Sequence, residues 1–145
     1  MKLMKYDISN IFARIIRGEL PCYKVYEDAN VLAFLDAFPC TPGHTLVIPK
    51  VTGYSDLSEL PDDVAGHLGA ALPRVARAVK AAMNADAVNI LQNVGAASGQ
   101  VVMHPHYHVI PRKTGDGLVK HPPSAKTMLV KEQADALLEA FKRKL

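Results

Sequence analysis

The sequence predicts an α+β fold: a five-stranded antiparallel sheet with a long helix, a short N-terminal helix and a C-terminal helix. Three observations lead there. The apolar residues Val64, Leu68, Leu72, Val75, Val79 and Met83 recur at steps of four or three, the stripe of a long amphipathic helix. Two β-branched and aromatic runs flank Asp28-Ala29-Asn30, which is turn chemistry between antiparallel strands. The elements then follow one another without the regular β-α-β alternation that a parallel sheet requires.

Taken in order, Ser9 to Arg17 reads as a short helix with Ile11, Phe12 and Ile15 on one face, a Ser or Asn cap, and Gly18 at its left-handed stop. Tyr23 to Glu27 and Val31 to Asp36 form a hairpin. Ala37 to Gly43 contains Pro39, Pro42 and Gly43 and is a loop, after which His44 to Pro49 reads as a third strand. The long helix begins near Pro61. Pro73 lies inside its stripe, and the lost hydrogen bond, worth roughly 3 kcal/mol, predicts a kink there. Ala87 to Asn93 is a fourth strand and Val102 to Ile110 a fifth. A loop from Gly115 to Pro123 leads to a final helix with Leu137, Leu138 and Phe141, and with Lys142, Arg143 and Lys144 at its negative end.

A chain of 145 residues, 49% apolar and 21% charged, suits one soluble domain spanning 1–145, with a core from 8 to 112 and a C-terminal loop and helix from 113 to 145. The 17 basic and 14 acidic residues leave only +3, without a basic run or aromatic ladder, so a nucleic-acid partner is not expected, and the charge suits small anionic ligands equally well. Cys22 and Cys40 match no C-x-x-C pattern, which argues against a disulfide framework and for a cytoplasmic setting. No apolar signal core follows Met1 to Tyr6, and no run approaches the ~18 apolar residues of a membrane span, so no membrane partner is expected.

The chemistry is concentrated in Met103-His104-Pro105-His106-Tyr107-His108-Val109-Ile110-Pro111-Arg112, which holds three of the six histidines. In a strand, alternation would put His104, His106 and His108 on one face and Tyr107 and Val109 on the other. Three readings are open. The imidazoles could be solvent-facing or satisfied core residues. They could bind a metal, although alternate strand residues stand ~6.6 Å apart and three in a row converge poorly. Or one could be a nucleophile, since a neutral imidazole is available at pH 7 and a polar neighbour can fix its tautomer.

The segment resembles the signature of the histidine-triad family, with Pro105, Tyr107 and Val109 as spacers. Other stretches resemble family segments in the same order: Ile11 to Pro21, Leu32 to Asp36, Pro42 to Lys50 and Gly99 to Val102. The resemblance implies the histidine-triad fold and a covalent nucleotidyl intermediate on His106, with His108 bonding the phosphoryl group, His104 orienting its neighbours and His44 as a fourth relay histidine. It further implies that Asp36 accepts the ribose hydroxyls. Ile11, Phe12, Ile15 and Phe34 would form the base slot, and Asn93, Gly99, Gln100 and Val101 the loop near the phosphate. The implied substrate is a purine nucleotide conjugate such as an adenosine 5′-phosphoramidate, with dinucleoside polyphosphates as the alternative. A nucleotide-binding interaction module with little turnover is the alternative of another class.

A homodimer is implied too, and no cofactor. Some relatives hold structural zinc through paired cysteines in the first helix and a later histidine; the matching positions here are Asn10, Ala13 and Thr52, so no metal is expected. Val101 stands where phosphoramidase relatives often have a serine.

Overall fold

The computed structural model describes residues 5–118 and 121–145. The first helix, α1, spans Ile11–Ile16 and is capped by Asn10, whose side-chain oxygen accepts the Ala13 N–H at 2.9 Å. Gly18, at φ +79°, then reverses the chain. Strands β1 (Lys24–Glu27) and β2 (Val31–Leu35) form the expected hairpin. Its turn is tied by Asp28, whose Oδ1 accepts the N–H groups of Asn30 and Val31 at 2.7 and 2.8 Å.

Strand β3 (Thr45–Pro49) leads through a 3₁₀ turn at Leu57–Glu59 to α2 (Asp62–Ala82), which begins directly after Pro61. Helix α2 runs through Pro73 without interruption; the buried stripe Leu68, Ala71, Val75 and Val79 holds it against the sheet on both sides of the proline. Each buried Leu or Val there contributes roughly 1.5–3 kcal/mol, enough to offset one missing bond.

Strands β4 (Ala87–Gln92) and β5 (Tyr107–Arg112) complete an antiparallel sheet of order β1-β2-β3-β5-β4. Strand β5 thus enters between β3 and β4. Its pairing sets Leu46 opposite His108 and Val47 opposite Tyr107, which brings His44, just before β3, beside the histidine segment.

The sheet is covered on both faces, and period-two alternation sorts the residues between them. Val31, Ala33, Val47 and Val109 pack with α2, and Tyr107 joins them. Leu32, Phe34, Leu46 and Ile48 face the other way and pack with Phe12, Ile15 and Ile16 of α1. The functional segment lies on this second face.

One expectation needs correction. The fifth strand starts at Tyr107 rather than Val102: residues 102–104 bend, and Pro105 has no N–H to give to a ladder. Only His108 of the three histidines is therefore a strand residue. The C-terminal helix, α3, starts at Lys131 and ends at Lys142, and it buries none of its residues; Leu137, Leu138 and Phe141 stay 51–60% exposed. Part of the loop expected at 115–123 lies outside the described residues. Among the described residues, no helix is long and apolar enough to cross a membrane.

Candidate active site

Four histidines from two chain segments meet on the α1 face of the sheet. His44 arrives from the loop between β2 and β3, where Gly43 adopts φ +90° against α2. A Cβ on Gly43 would sit 2.5 Å from Met83 Cγ, so glycine is what allows this approach. His104 and His106 come from the irregular approach to β5 and His108 from the strand itself. His104 is fully buried, and His44 and His106 are each 6% exposed.

Each of these imidazoles has a fixed partner on at least one ring nitrogen, and those partners set its tautomer. The Pro49 carbonyl can only accept, so His104 Nε2–H donates to it at 3.1 Å, leaving Nδ1 to accept the Tyr6 hydroxyl at 2.8 Å. The His104 carbonyl likewise accepts His106 Nδ1–H at 2.7 Å. That leaves the second nitrogen of His106, Nε2, as a free lone pair. The Cys40 backbone N–H donates to His44 Nδ1 at 3.2 Å, so neutral His44 carries its proton on Nε2 and donates to His108 Nδ1 at 2.9 Å. His108 then holds its proton on Nε2. The row therefore presents one nucleophilic lone pair beside one N–H donor.

Burial keeps the row neutral. It lowers the pKa of His104 and of His108 from 6.5 to about 4, and His106 and its neighbours add to the effect by disfavouring a second cation. Burial also lowers the pKa of His44, against the pull of the Asp36 carboxylate, and that of His106, against the His104 carbonyl and Asp36. At pH 7 the imidazoles can thus act as nucleophile and donor without first losing a proton. Phe12 fixes the ring positions from α1, edge-on to His106 at 5.0 Å and to His104 at 6.2 Å.

His106 and His108 open onto a cavity of about 670 Å³ lined mostly by apolar side chains. The expected slot residues Ile11, Phe12, Ile15 and Phe34 line it, as do Asp36, Asn93, Gly99 and Val101. Leu20, Pro21, Cys22, Tyr23 and Phe38 line it too, and these the sequence reading missed, because a loop residue carries no period to mark its face. Asp36 sits at the end of β2: Oδ1 accepts the Phe38 N–H at 2.9 Å and Oδ2 lies 3.5 Å from His44 Nε2. Val101 is 87% exposed at the rim.

Gln100 does not reach the cavity. Its Oε1 accepts the Gly95 N–H at 2.8 Å, and its Nε2 donates to the carbonyls of Ser55 and Val102 at 2.7 and 3.0 Å. This buried amide braces the loop of residues 93–101. His44 and His104 also stand behind the cavity wall, as supports of the two histidines that reach it.

Asp36, His44 and His108 bring three donor atoms within 4.8 Å of one another, a set able in distance to hold a metal. The hydrogen bonds oppose that use. With Cys40 N–H on His44 Nδ1, the Nε2 that would face an ion carries a proton instead of a lone pair. The family's structural zinc does not fit these residues either: Asn10 is occupied as the α1 cap, Ala13 is buried and has no donor, and Thr52 is exposed.

The HIT domain model matches residues 17–115. The chain is 47% identical over 108 residues to the protein named hit of Bacillus subtilis, covering 74% of each. It is 45% identical over 108 residues to the adenylylsulfatase HINT3 of Arabidopsis thaliana, covering 74% of this chain and 54% of that one. With the adenosine 5′-monophosphoramidase HNT1 of Saccharomyces cerevisiae it shares 40% over 107 residues, 74% of this chain and 65% of that one. A crystal structure of a HIT family protein from Bacillus anthracis superposes with a TM-score of 0.87 at 39% identity, covering 97% of this chain and 99% of that one. In sequence, in fold and in the row of histidines at the cavity, this chain belongs to the histidine-triad (HIT) family.

Proposed function

We propose that this protein is a nucleotide hydrolase or transferase that cleaves purine nucleotide conjugates at the α-phosphate through a covalent intermediate on His106. The observation that carries the reading is the tautomer of His106: Nδ1–H is held by the His104 carbonyl, so the lone pair on Nε2 is free at the cavity wall. Relatives named as an adenylylsulfatase and an adenosine 5′-monophosphoramidase support hydrolysis of adenine nucleotides as the general activity.

In the first step His106 Nε2 attacks the α-phosphorus. An N–P bond forms as the bond to the leaving group breaks, and the leaving group departs with the electron pair and takes up a proton. His108 Nε2–H can stabilise the phosphoryl oxygens, with His44 holding its ring from behind; because the row is neutral, the proton taken up by the leaving group comes from solvent. In the second step water attacks phosphorus and gives up a proton to solvent, the P–N bond breaks with its electron pair returning to His106 Nε2, and the nucleoside monophosphate leaves with His106 restored. One hard displacement becomes two easier ones.

The cavity supports the substrate class. Its apolar walls suit a purine, and the Asp36 carboxylate at its edge suits ribose hydroxyls. An adenosine 5′-phosphoramidate is the proposed donor, and a dinucleoside polyphosphate the alternative. A homodimer in the cytoplasm completes the proposal: the exposed Leu137, Leu138 and Phe141 of α3 favour a second copy, and the free thiols of Cys22 and Cys40 favour a reducing compartment. Sedimentation of the purified chain tests the dimer.

The decisive experiment is a single-turnover quench in base with an adenosine 5′-phosphoramidate. A mass increase of one AMP on the peptide carrying His106 is expected. The absence of an adduct on a demonstrably active enzyme, or its appearance on His104 or His108, would overturn the assignment. An enzyme that binds AMP yet turns over neither a phosphoramidate nor a dinucleoside polyphosphate would favour the binding-module reading.

A further inference from the structure

Tyr6 lies outside the matched HIT domain, upstream of residue 17, yet its hydroxyl reaches across 98 residues of sequence to His104 Nδ1 at 2.8 Å. The contact is built. Asp7 and Asn10 fold the chain just after Tyr6 into a capped turn: Asp7 Oδ1 accepts the Ser9 N–H at 2.8 Å, and the Asp7 carbonyl accepts the Asn10 N–H at 3.1 Å. Arg17 then fastens the turn to α1, donating from Nη1 to the Ile8 carbonyl at 2.7 Å and from Nε to Glu19 Oε1 at 3.0 Å. The Tyr6 ring meets the His104 ring at a centroid distance of 6.0 Å, tilted by 58°.

We propose that Tyr6 is a positioning residue for the nucleophile, acting through His104; the inference rests on His106 being that nucleophile. His104 is clamped at both ring nitrogens, by Tyr6 on Nδ1 and by the Pro49 carbonyl on Nε2. A ring held at both ends holds its own peptide, and the carbonyl of that peptide aims His106. As His106 Nε2 bonds to phosphorus the ring becomes cationic and its Nδ1–H a stronger donor, so the aim of the His104 carbonyl matters more in the transition state than in the ground state. Loss of the Tyr6 hydroxyl leaves a buried acceptor without its donor and frees one end of the clamp. The effect belongs to kcat and not to KM, because Tyr6 does not line the cavity.

The test uses the full chain with an adenosine 5′-phosphoramidate, and Tyr6→Phe, which keeps the ring and removes only the hydroxyl. The expected result is a fall in kcat and in the single-turnover rate of His106 adenylylation of about tenfold, short of the roughly hundredfold that a misplacement of ~1 Å can cost, with KM unchanged. The double-mutant cycle with His104→Asn makes the readout specific: without the imidazole, Tyr6→Phe should have no further effect on the rate. An unchanged rate in Tyr6→Phe, a rise in KM alone, or a full additional loss in the His104→Asn background overturns the proposal. A wild-type enzyme that never carries AMP on His106 overturns the functional reading and this inference with it; wild-type labelling with an unaffected Tyr6→Phe overturns this inference alone.

Discussion

Acidification from pH 7.5 to 4.5 should destabilise this protein before its carboxylates titrate, and His104 sets the scale. In the folded chain its pKa is lowered to about 4 by burial, against 6.5 when solvated. Between those values the unfolded chain binds a proton that the folded chain refuses, so stability is complete above about pH 6.5 and falls as pH drops toward 4. At pH 4.5 the loss from His104 alone is on the order of 2–3 kcal/mol. His108, lowered to about 4 for the same reason but more open to water, adds a smaller loss of the same sign, and His44 and His106 act in that direction too. Several carboxylates, among them Asp28 and Asp86, have pKa values below the usual range because they accept hydrogen bonds, so their contribution enters at lower pH. Urea unfolding followed by circular dichroism in half-unit steps should show a midpoint that declines below pH 6.5, with a shallower decline in His104→Asn. A midpoint flat from pH 7.5 to 5, or nitrogen chemical shifts showing His104 protonated near pH 6.5, would refute the reasoning.

Two further outcomes follow from the site. Asp36→Ala should weaken binding of AMP by about tenfold to a hundredfold, the range for hydrogen bonds to a charged group, while binding of the 2′,3′-dideoxy nucleotide changes little; equal weakening of both in calorimetry would remove Asp36 from the ribose. Turnover of an adenosine 5′-phosphoramidate should survive exhaustive chelation, since the proton on His44 Nε2 occupies the one cluster among the described residues that could hold an ion; stoichiometric metal whose removal abolishes turnover would show that His44 Nε2 carries a lone pair and not a proton.

The elements that sequence made legible are those whose side chains obey a period. Leu68, Val75 and Val79 mark the buried face of α2, and Leu32, Phe34, Leu46 and Ile48 sort by alternation to the face that α1 covers. Alternation misled at the most informative segment. It put His104, His106 and His108 on one straight strand, whereas Pro105 interrupts the ladder and the first two histidines lie on a bent approach. The same departure from a strand lets the His104 carbonyl turn toward its neighbour's ring instead of pairing across the sheet. The exposure of α3 was illegible for another reason: Leu137, Leu138 and Phe141 form an apolar group whatever covers them, and a pattern cannot name a partner.

Within the site, residue type was legible and hydrogen placement was not. The row of histidines, His44 and Asp36 can be found from the motifs, but their tautomers depend on the Pro49 and His104 carbonyls, the Cys40 N–H and the Tyr6 hydroxyl. Three of these four partners are backbone groups, which no residue identity announces. Gln100 shows the same limit: its place in a recognisable loop segment is legible, but that its side-chain amide bonds Gly95, Ser55 and Val102 is not. The division has a physical cause. Burial makes an imidazole neutral, neutrality makes its two nitrogens unlike, and whichever nitrogen meets a fixed partner decides what the other can do. At His106 that partner is a carbonyl, so the nitrogen left at the cavity holds a lone pair; at His108 it is the N–H of His44, so the nitrogen left there holds a proton. Two identical side chains two residues apart thus acquire opposite hydrogen-bonding capacity from the groups behind them.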